Sequence, residues 1–392
     1  MATGARPEGI DLGNWDLGGA RSAWAYLHPG ELLGATEIAP SGPVAPLVVE
    51  ELAAVGRLPV GPDTTLEAYV AEAPVSGIVV LRRGRIVFER YPRMAPEERH
   101  LLMSVSKVFA SVLIGLLEER GLLDLAAPVE AILPEAAGSG WEGVAVRDVL
   151  DMASGIDCPE QEAGALDDPG HPFYRFEASL GWRPPEHAPA EGTYAYVAAL
   201  GSRRPPGRTF EYTSVNTFVL SWLVERVTGR PYAEVLGEEI WRRVGFEAPA
   251  GLCRSSAGAP ASHGGLFARL RDVARFGLLL TPSADLVAAS AVVRPEHVAR
   301  VQAGVRPELE RRLDQARLEA MRQAFDGEVP LPSRQWDLVF RDGDLFKGGF
   351  GGQGLYVSPA RDVVVAFVGT PLADGSSNRL GLFCRRVALA LA

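Results

Sequence analysis

Ser104 and Lys107 stand three residues apart, as Ser-Val-Ser-Lys, at the head of an apolar run. On a helix, positions i and i+3 share a face, with β-carbons roughly 5–6 Å apart. A serine hydroxyl is a poor nucleophile until a neighbouring base takes its proton. A lysine amine is that base only where burial or nearby positive charge lowers its pKa. An apolar helix supplies the burial, and its N-terminus adds a positive dipole end that favours an oxyanion. Of 39 basic residues only Lys107 and Lys347 are lysines, which leaves 39 − 2 = 37 arginines. Arginine does not give up its proton in a protein. The two lysines are therefore the positions that need explaining.

Lys347 opens the run Lys347-Gly348-Gly349-Phe350-Gly351-Gly352-Gln353 ahead of a strand-like stretch. Glycines there let a ligand or another backbone approach closely, or simply form a bulge or turn. A third cluster, Tyr212-Thr213-Ser214-Val215-Asn216, leads into a helix-spaced segment. Ser214 and Asn216 read as helix caps or as polar groups of a site, and Tyr212 as packing or as an acid–base group. His263, in His-Gly-Gly, reads as a loop residue rather than the base of a serine–histidine pair. The chain has no G-x-S-x-G elbow, and its histidines show no metal-ligand spacing, so no metal and no cofactor is expected.

The surrounding pattern supplies the frame. Residues 77–82 and 85–91, joined at Arg83-Gly84, read as a β-hairpin. From Ser104 the apolar positions recur at helical spacing as far as Gly121. From about 125 to 300, helical segments (146–152, 215–228, 232–244, 270–280) alternate with Pro/Gly-rich loops. The loop stretch 158–206 is the expected wall of a cleft. Residues 308–325 read as a further helix, and strands return at 336–341 and through GGQGLYVSP and DVVVAFVG, before a last helix at about 377–391. Strands at both ends with helices between predict an α+β fold: an antiparallel sheet flanked by helices, with an inserted mainly helical lobe. The expected division is 1–125 with 305–392 for the α/β lobe and 126–304 for the insert.

At 392 residues and a formal charge of −10, the chain is not that of a nucleic-acid-binding protein or of one that seeks anionic membranes. The longest apolar stretch, 108–117, is too short to span a bilayer. No leader pattern opens the sequence, and its three scattered cysteines suit reduced thiols, so a cytoplasmic location is expected. A small amide or ester is the expected partner. Asp167, Asp168 and Glu177 are acidic candidates for a cationic substrate, best placed in a solvated loop. Phe173, Tyr174, Trp182, Tyr194 and Trp336 are candidate cleft aromatics, better read as packing. Oligomeric state is open.

Taken together, S-x-x-K, then Y-x-S in the helical region, then K-x-G near the C-terminus resembles the signature of penicillin-recognising serine enzymes. Order and spacing are most similar to the class C β-lactamase branch, and within it to the 6-aminohexanoate-dimer (nylon oligomer) hydrolases. Asn14-Trp15, VRDVLDMASGI (146–156), FEYTSVNTFVLSWLVERVTG (210–229), HGGLFARLRDVARFG (263–277) and GFGGQGLYVSPARDVVV (349–365) carry that resemblance over nearly the whole chain.

The resemblance implies that Ser104 is the acylated nucleophile, Lys107 its base and Tyr212 the group that shuttles the proton. It implies an oxyanion hole made by the backbone N–H groups of Ser104 and Phe350. Lys347 takes the first place of K-x-G, with Gly349, Ser214 and Asn216 beside the substrate. Ser214 stands where class C β-lactamases have asparagine, and Gly348 where they have a hydroxyl residue, which argues against efficient antibiotic hydrolysis. The expected reaction is hydrolysis of a linear amide or ester through an acyl-enzyme. Acyl transfer to an amine or alcohol is the alternative, with a non-catalytic binding protein on the same fold and a cell-wall peptidase further off.

Overall fold

The computed structural model describes residues 5–61, 63–311, 313 and 315–392. Its main sheet has eight strands in the order Leu331–Ser333, Trp336–Val339, Leu345–Gly349, Gln353–Ser358, Val363–Gly369, Val75–Arg82, Arg85–Arg90, Val48–Val49. All neighbours run antiparallel except the short outer pair formed by Val48–Val49 and Arg85–Arg90. The expected α+β fold, a sheet drawn from both ends of the chain, is what forms.

Two central strands, VSGIVVLR and VVVAFVG, are apolar almost throughout because both faces of the sheet are covered. Side chains alternate between faces along a strand. Val364, Ala366 and Val368 accordingly join one core with Val273 and Phe276 of the Leu270–Leu278 helix. Val363, Val365 and Phe367 join the other with Val387 and Ala388 of the Cys384–Ala390 helix. The expected hairpin turns at Arg83 and Gly84, both with positive φ, a geometry that matches the twist of its strands.

A second sheet positions the chemistry. Its strands Ala35–Ile38, Ala250–Cys253, Leu266–Arg269 and Arg99–Leu101 are antiparallel in that order. Leu101 pairs with Phe267, and the Leu102 N–H continues the ladder to the Leu266 carbonyl at 2.8 Å. One edge of this sheet therefore delivers residue 104, and its neighbour delivers residue 263, to the same place.

Three details differ from the sequence expectation. The helix expected over 308–325 spans Gln315–Ala324, because Glu310–Arg311 is instead a two-residue strand paired parallel with Thr209–Phe210. The helix expected at 377–391 is shorter, Cys384–Ala390, after a turn at Leu380–Leu382. The Ala250–Cys253 and Leu266–Arg269 strands and the Leu270–Leu278 helix fall in the 126–304 insert by the expected division. The helix nevertheless packs on the main sheet, burying Val273 and Phe276 in the same core as Val364 and Ala366.

Candidate active site

The turn that carries Ser104 and the helix that follows form one continuous element. Met103–Ser106 is a 3-10 turn that runs directly into the Lys107–Glu119 helix. Ser104 thus sits just before the α-helix rather than in its first turn. In 3-10 geometry i and i+3 eclipse, so Ser104 and Lys107 still face the same way. Every residue from Lys107 to Leu117 is buried, as in a helix surrounded by core. Phe109 stacks on Phe276 at 3.8 Å between ring centroids and ties this helix to the one on the main sheet. Met103 holds a left-handed backbone, φ 46°, which costs a non-glycine residue about 1–3 kcal/mol. That strain lies beside the serine.

Lys107 Nζ lies 3.0 Å from Ser104 Oγ, 2.9 Å from Ser214 Oγ and 2.8 Å from the His263 carbonyl oxygen. Among the described residues no carboxylate bonds to Lys107. Burial lowers its pKa to about 7, Glu160 opposes the shift and the Lys347 charge adds to it. His263 contributes only its backbone. Its ring is buried, both ring nitrogens lack hydrogen-bond partners among the described residues, and burial pushes its pKa well below the usual value. It packs against Trp182 and Phe176 as a neutral aromatic.

The second lysine has a different environment. Leu338 pairs with Phe346, which sets Asp337 opposite Lys347 on the neighbouring strand. Asp337 Oδ1 lies 2.5 Å from Lys347 Nζ, and its Oδ2 accepts the Gly348 N–H at 2.9 Å. Lys347 Nζ also lies 3.2 Å from the Tyr212 hydroxyl. The Tyr212 ring is held between the two lysines, 5.2 Å from Lys107 Nζ and 4.6 Å from Lys347 Nζ. Burial, then Asp337 and Glu160, raise the Tyr212 pKa well above its usual value, with Ser104 pulling the other way. Tyr212 is therefore a neutral phenol at neutral pH.

Gly349 is packed against the turn that carries Ser104. A Cβ there would come within 2.9 Å of the Leu102 carbonyl oxygen and 3.2 Å of Met103 Cβ. Phe350 follows, half exposed, in a turn closed by Gly351 and Gly352 with φ of 84° and 93°. Gln353 pins that turn, donating to the Phe350 carbonyl at 2.7 Å and accepting from the Gly369 N–H at 2.8 Å. Asn378 donates to the Gly352 carbonyl at 2.8 Å.

Of the residues singled out from sequence, Ser104, Lys107, Tyr212, Ser214, Lys347 and Gly349 converge. Asn216 points elsewhere: it is buried with its amide 3.5 Å from the Met152 sulfur. Glu177 is not in a solvated loop. It is buried on the Pro172–Ser179 helix, bound to Arg183 at 2.7 Å, and Arg183 in turn grips Asp16 through two hydrogen bonds. The five candidate aromatics pack in the interior or along its edge, and none lines the cleft. Glu160, Asp337, Gln353 and the His263 carbonyl were not singled out. Glu160 accepts the Ser214 N–H at 2.6 Å and lines the cleft, a role its loop sequence does not announce.

The cleft is a cavity of about 730 Å³. Tyr212, Gly349 and Asp337 border it on the site side, and Leu338, Phe346 and Phe367 give it an apolar floor. Among the described residues no group of histidine, cysteine and acidic side chains is arranged to hold a metal ion, and no helix is long and apolar enough to cross a membrane.

Residues 63–379 match the family model described as beta-lactamase, and the chain belongs to that family, as a hydrolase of the beta-lactamase fold. It is 33% identical over 349 residues to the 6-aminohexanoate-dimer hydrolase of Paenarthrobacter ureafaciens, covering 87% of this chain and 83% of that one. Among solved structures, a provisionally assigned 6-aminohexanoate-dimer hydrolase from Bacillus anthracis superposes with a TM-score of 0.77 at 20% identity, over 99% of this chain and 97% of that one. EstA from Arthrobacter nitroguajacolicus Rue61a has the same fold, with a TM-score of 0.58 at 17% identity over 88% and 99% of the two chains.

Proposed function

We propose that the protein hydrolyses a linear amide or ester through an acyl-enzyme on Ser104. The observation that carries this reading is the cage around Lys107. With a pKa near 7, the amine is partly neutral at neutral pH. A neutral amine has two N–H donors and one lone pair. The donors go to Ser214 Oγ and the His263 carbonyl, which leaves the lone pair for the Ser104 proton.

Ser104 Oγ attacks the substrate carbonyl carbon while its proton passes to Lys107 Nζ. The negative charge on the carbonyl oxygen is met by the N–H groups of Ser104 and Phe350. As the tetrahedral intermediate collapses, the bond to the amine or alcohol breaks, and that leaving group takes a proton through Tyr212. Lys107 restores the Tyr212 proton. Water, deprotonated by the same pair, then splits the Ser104 ester and releases the acid. Lys347 orients the Tyr212 hydroxyl, and Asp337 keeps that ammonium in place. The identity with a 6-aminohexanoate-dimer hydrolase supports a linear amide as substrate. An organic acceptor in place of water would make the same centre a transacylase.

The test is intact-protein mass after brief exposure to 4-nitrophenyl hexanoate or a fluorophosphonate, beside Ser104→Ala. A single adduct on the wild type, absent from the folded variant, is expected. No adduct on the folded wild type would overturn the reading. Adding amines to the acyl-enzyme then distinguishes hydrolysis from transfer.

A further inference from the structure

We propose that Gln335 is a positioning residue: it fixes the Lys347–Asp337 pair against the Tyr212 hydroxyl and so aims Tyr212 at the leaving group. This rests on the acyl-enzyme reading and deepens it at the proton-donating step.

Ser333 pairs with Trp336, which leaves Arg334-Gln335 as a two-residue hairpin turn. Both residues are left-handed, with φ of 45° and 72°. Turns of this kind favour Asn and Gly, because a longer side chain at positive φ is strained. Strain of this sort persists only where the surroundings over-determine the backbone, and here they do. The Arg334 N–H donates to Asp151 Oδ1 at 3.0 Å, its carbonyl accepts from Ser111 Oγ at 2.7 Å, and its guanidinium binds Glu118 at 2.7 Å. Gln335 is buried. Its Nε2 donates to the Leu150 carbonyl at 2.8 Å and its Oε1 accepts from Thr217 Oγ1 at 2.7 Å. An amide meets both needs because it donates and accepts at once.

The partners of this turn belong to the segments that carry the site. Ser111 lies one helical turn beyond Lys107. Thr217 lies in the first turn of the Ser214–Thr228 helix, which begins two residues after Tyr212. Leu150 leads to Met152, itself left-handed at φ 56°, whose carbonyl accepts the Glu211 N–H at 2.7 Å just before Tyr212. Asp337 stands two residues beyond Gln335 on the strand. The Gln335 amide is thus a direct link from the segments that flank Tyr212 to the strand that holds Asp337. Met152, Tyr212, Gln335 and Asp337 also border a single void of about 10 Å³, the size of one water. With so little between them, a shift of the turn carries Asp337, and Lys347 with it, away from the Tyr212 hydroxyl 3.2 Å from Lys347 Nζ.

The test uses hexanoate esters whose leaving groups differ in their need for a proton: 4-nitrophenyl, phenyl and ethyl. A 4-nitrophenolate departs unaided, whereas an ethoxide needs the proton that Tyr212 supplies. Gln335→Gly removes both side-chain hydrogen bonds and also relieves the strain at positive φ. Its kcat/KM is expected to fall roughly 10- to 100-fold for ethyl hexanoate and to stay within about 3-fold for the 4-nitrophenyl ester, with phenyl between. Retained turnover of the 4-nitrophenyl ester shows that the variant folds. Gln335→Asn, whose shorter amide also tolerates the left-handed backbone, should show the same pattern in weaker form. Thr217→Val should reproduce part of the selective loss and Thr217→Ser none of it. Combining Thr217→Val with Gln335→Gly should add nothing to Gln335→Gly alone. Equal losses on all three esters, the mark of a loosened fold, or no loss at all in Gln335→Gly, overturn the positioning role. Tyr212→Phe should show the same dependence on leaving group, only larger. If it does not, Tyr212 is not the proton donor and Gln335 has nothing to aim. If no ester acylates Ser104 in the wild type, the acyl-enzyme reading is what has failed.

Discussion

Lys347 and Asp337 face each other across adjacent strands with Nζ and Oδ1 2.5 Å apart, and this ion pair separates the roles of the two lysines. Lys347 lies beside a carboxylate. Among the described residues Lys107 makes its hydrogen bonds with a carbonyl and two hydroxyls, and burial draws its pKa to about 7. The same side chain type thus sits beside a carboxylate in one place and in a cage of neutral oxygens in the other.

The pH dependence follows from that contrast. In the proposed mechanism neutral Lys107 is the active form, so kcat/KM is expected to rise with pH through about 7 and then level off. Lys107→Arg keeps the charge but cannot accept a proton, and should lower kcat/KM by about 10²- to 10⁴-fold in a folded protein. An Arg variant with near wild-type rates, measured against 4-nitrophenyl esters, would remove Lys107 from the mechanism.

Glu160 opposes the lowering of the Lys107 pKa more than any other charge. Glu160→Gln keeps an oxygen for the Ser214 N–H and removes the charge. The acid limb of the pH profile should therefore move to lower pH. A limb that stays in place or moves up contradicts this electrostatic assignment.

Asp337→Asn leaves the fully buried Lys347 without its counter-charge. Removing one partner of a buried pair costs about 3–5 kcal/mol, and the partial exposure of Asp337 puts the loss at the lower end. Urea unfolding should show the loss, and adding Lys347→Met should recover part of it. Additive destabilisation in the double variant would mean that the two groups do not depend on each other.

Gly349→Ala drives a methyl into the Leu102 carbonyl and Met103. A shift of that backbone is expected to cost about 1–3 kcal/mol, and it displaces Ser104 with it. The burst of acylation should slow far more than the melting temperature falls. If both stay at wild-type values, the turn has room that the geometry denies.

Much of this was legible beforehand, for local reasons. Ser104 and Lys107 are close because one backbone turn joins them, whether 3-10 or α. The hairpin at Arg83-Gly84 and the buried strands show in their turn residues and apolar runs. Helix ends were less legible, since a favourable pattern over 308–325 yields at Glu310–Arg311 to strand pairing with residues a hundred positions away. Glu177 misled for the same reason: its partner Arg183 is close in sequence, but Asp16, which completes the buried pair, arrives from the N-terminal segment.

The order of residue types along the chain was enough to establish a serine with a lysine on one face, a tyrosine and a second lysine to join them, and the sheet-and-insert frame. These depend on spacing and periodicity, which a linear reading contains. Tertiary structure alone decided which lysine has its pKa lowered by burial, which carboxylate pairs with the other, that His263 reaches Lys107 through its carbonyl, and that Asn216 turns inward to Met152. Those outcomes depend on burial and on distances between segments far apart in sequence, and only the packed chain sets them.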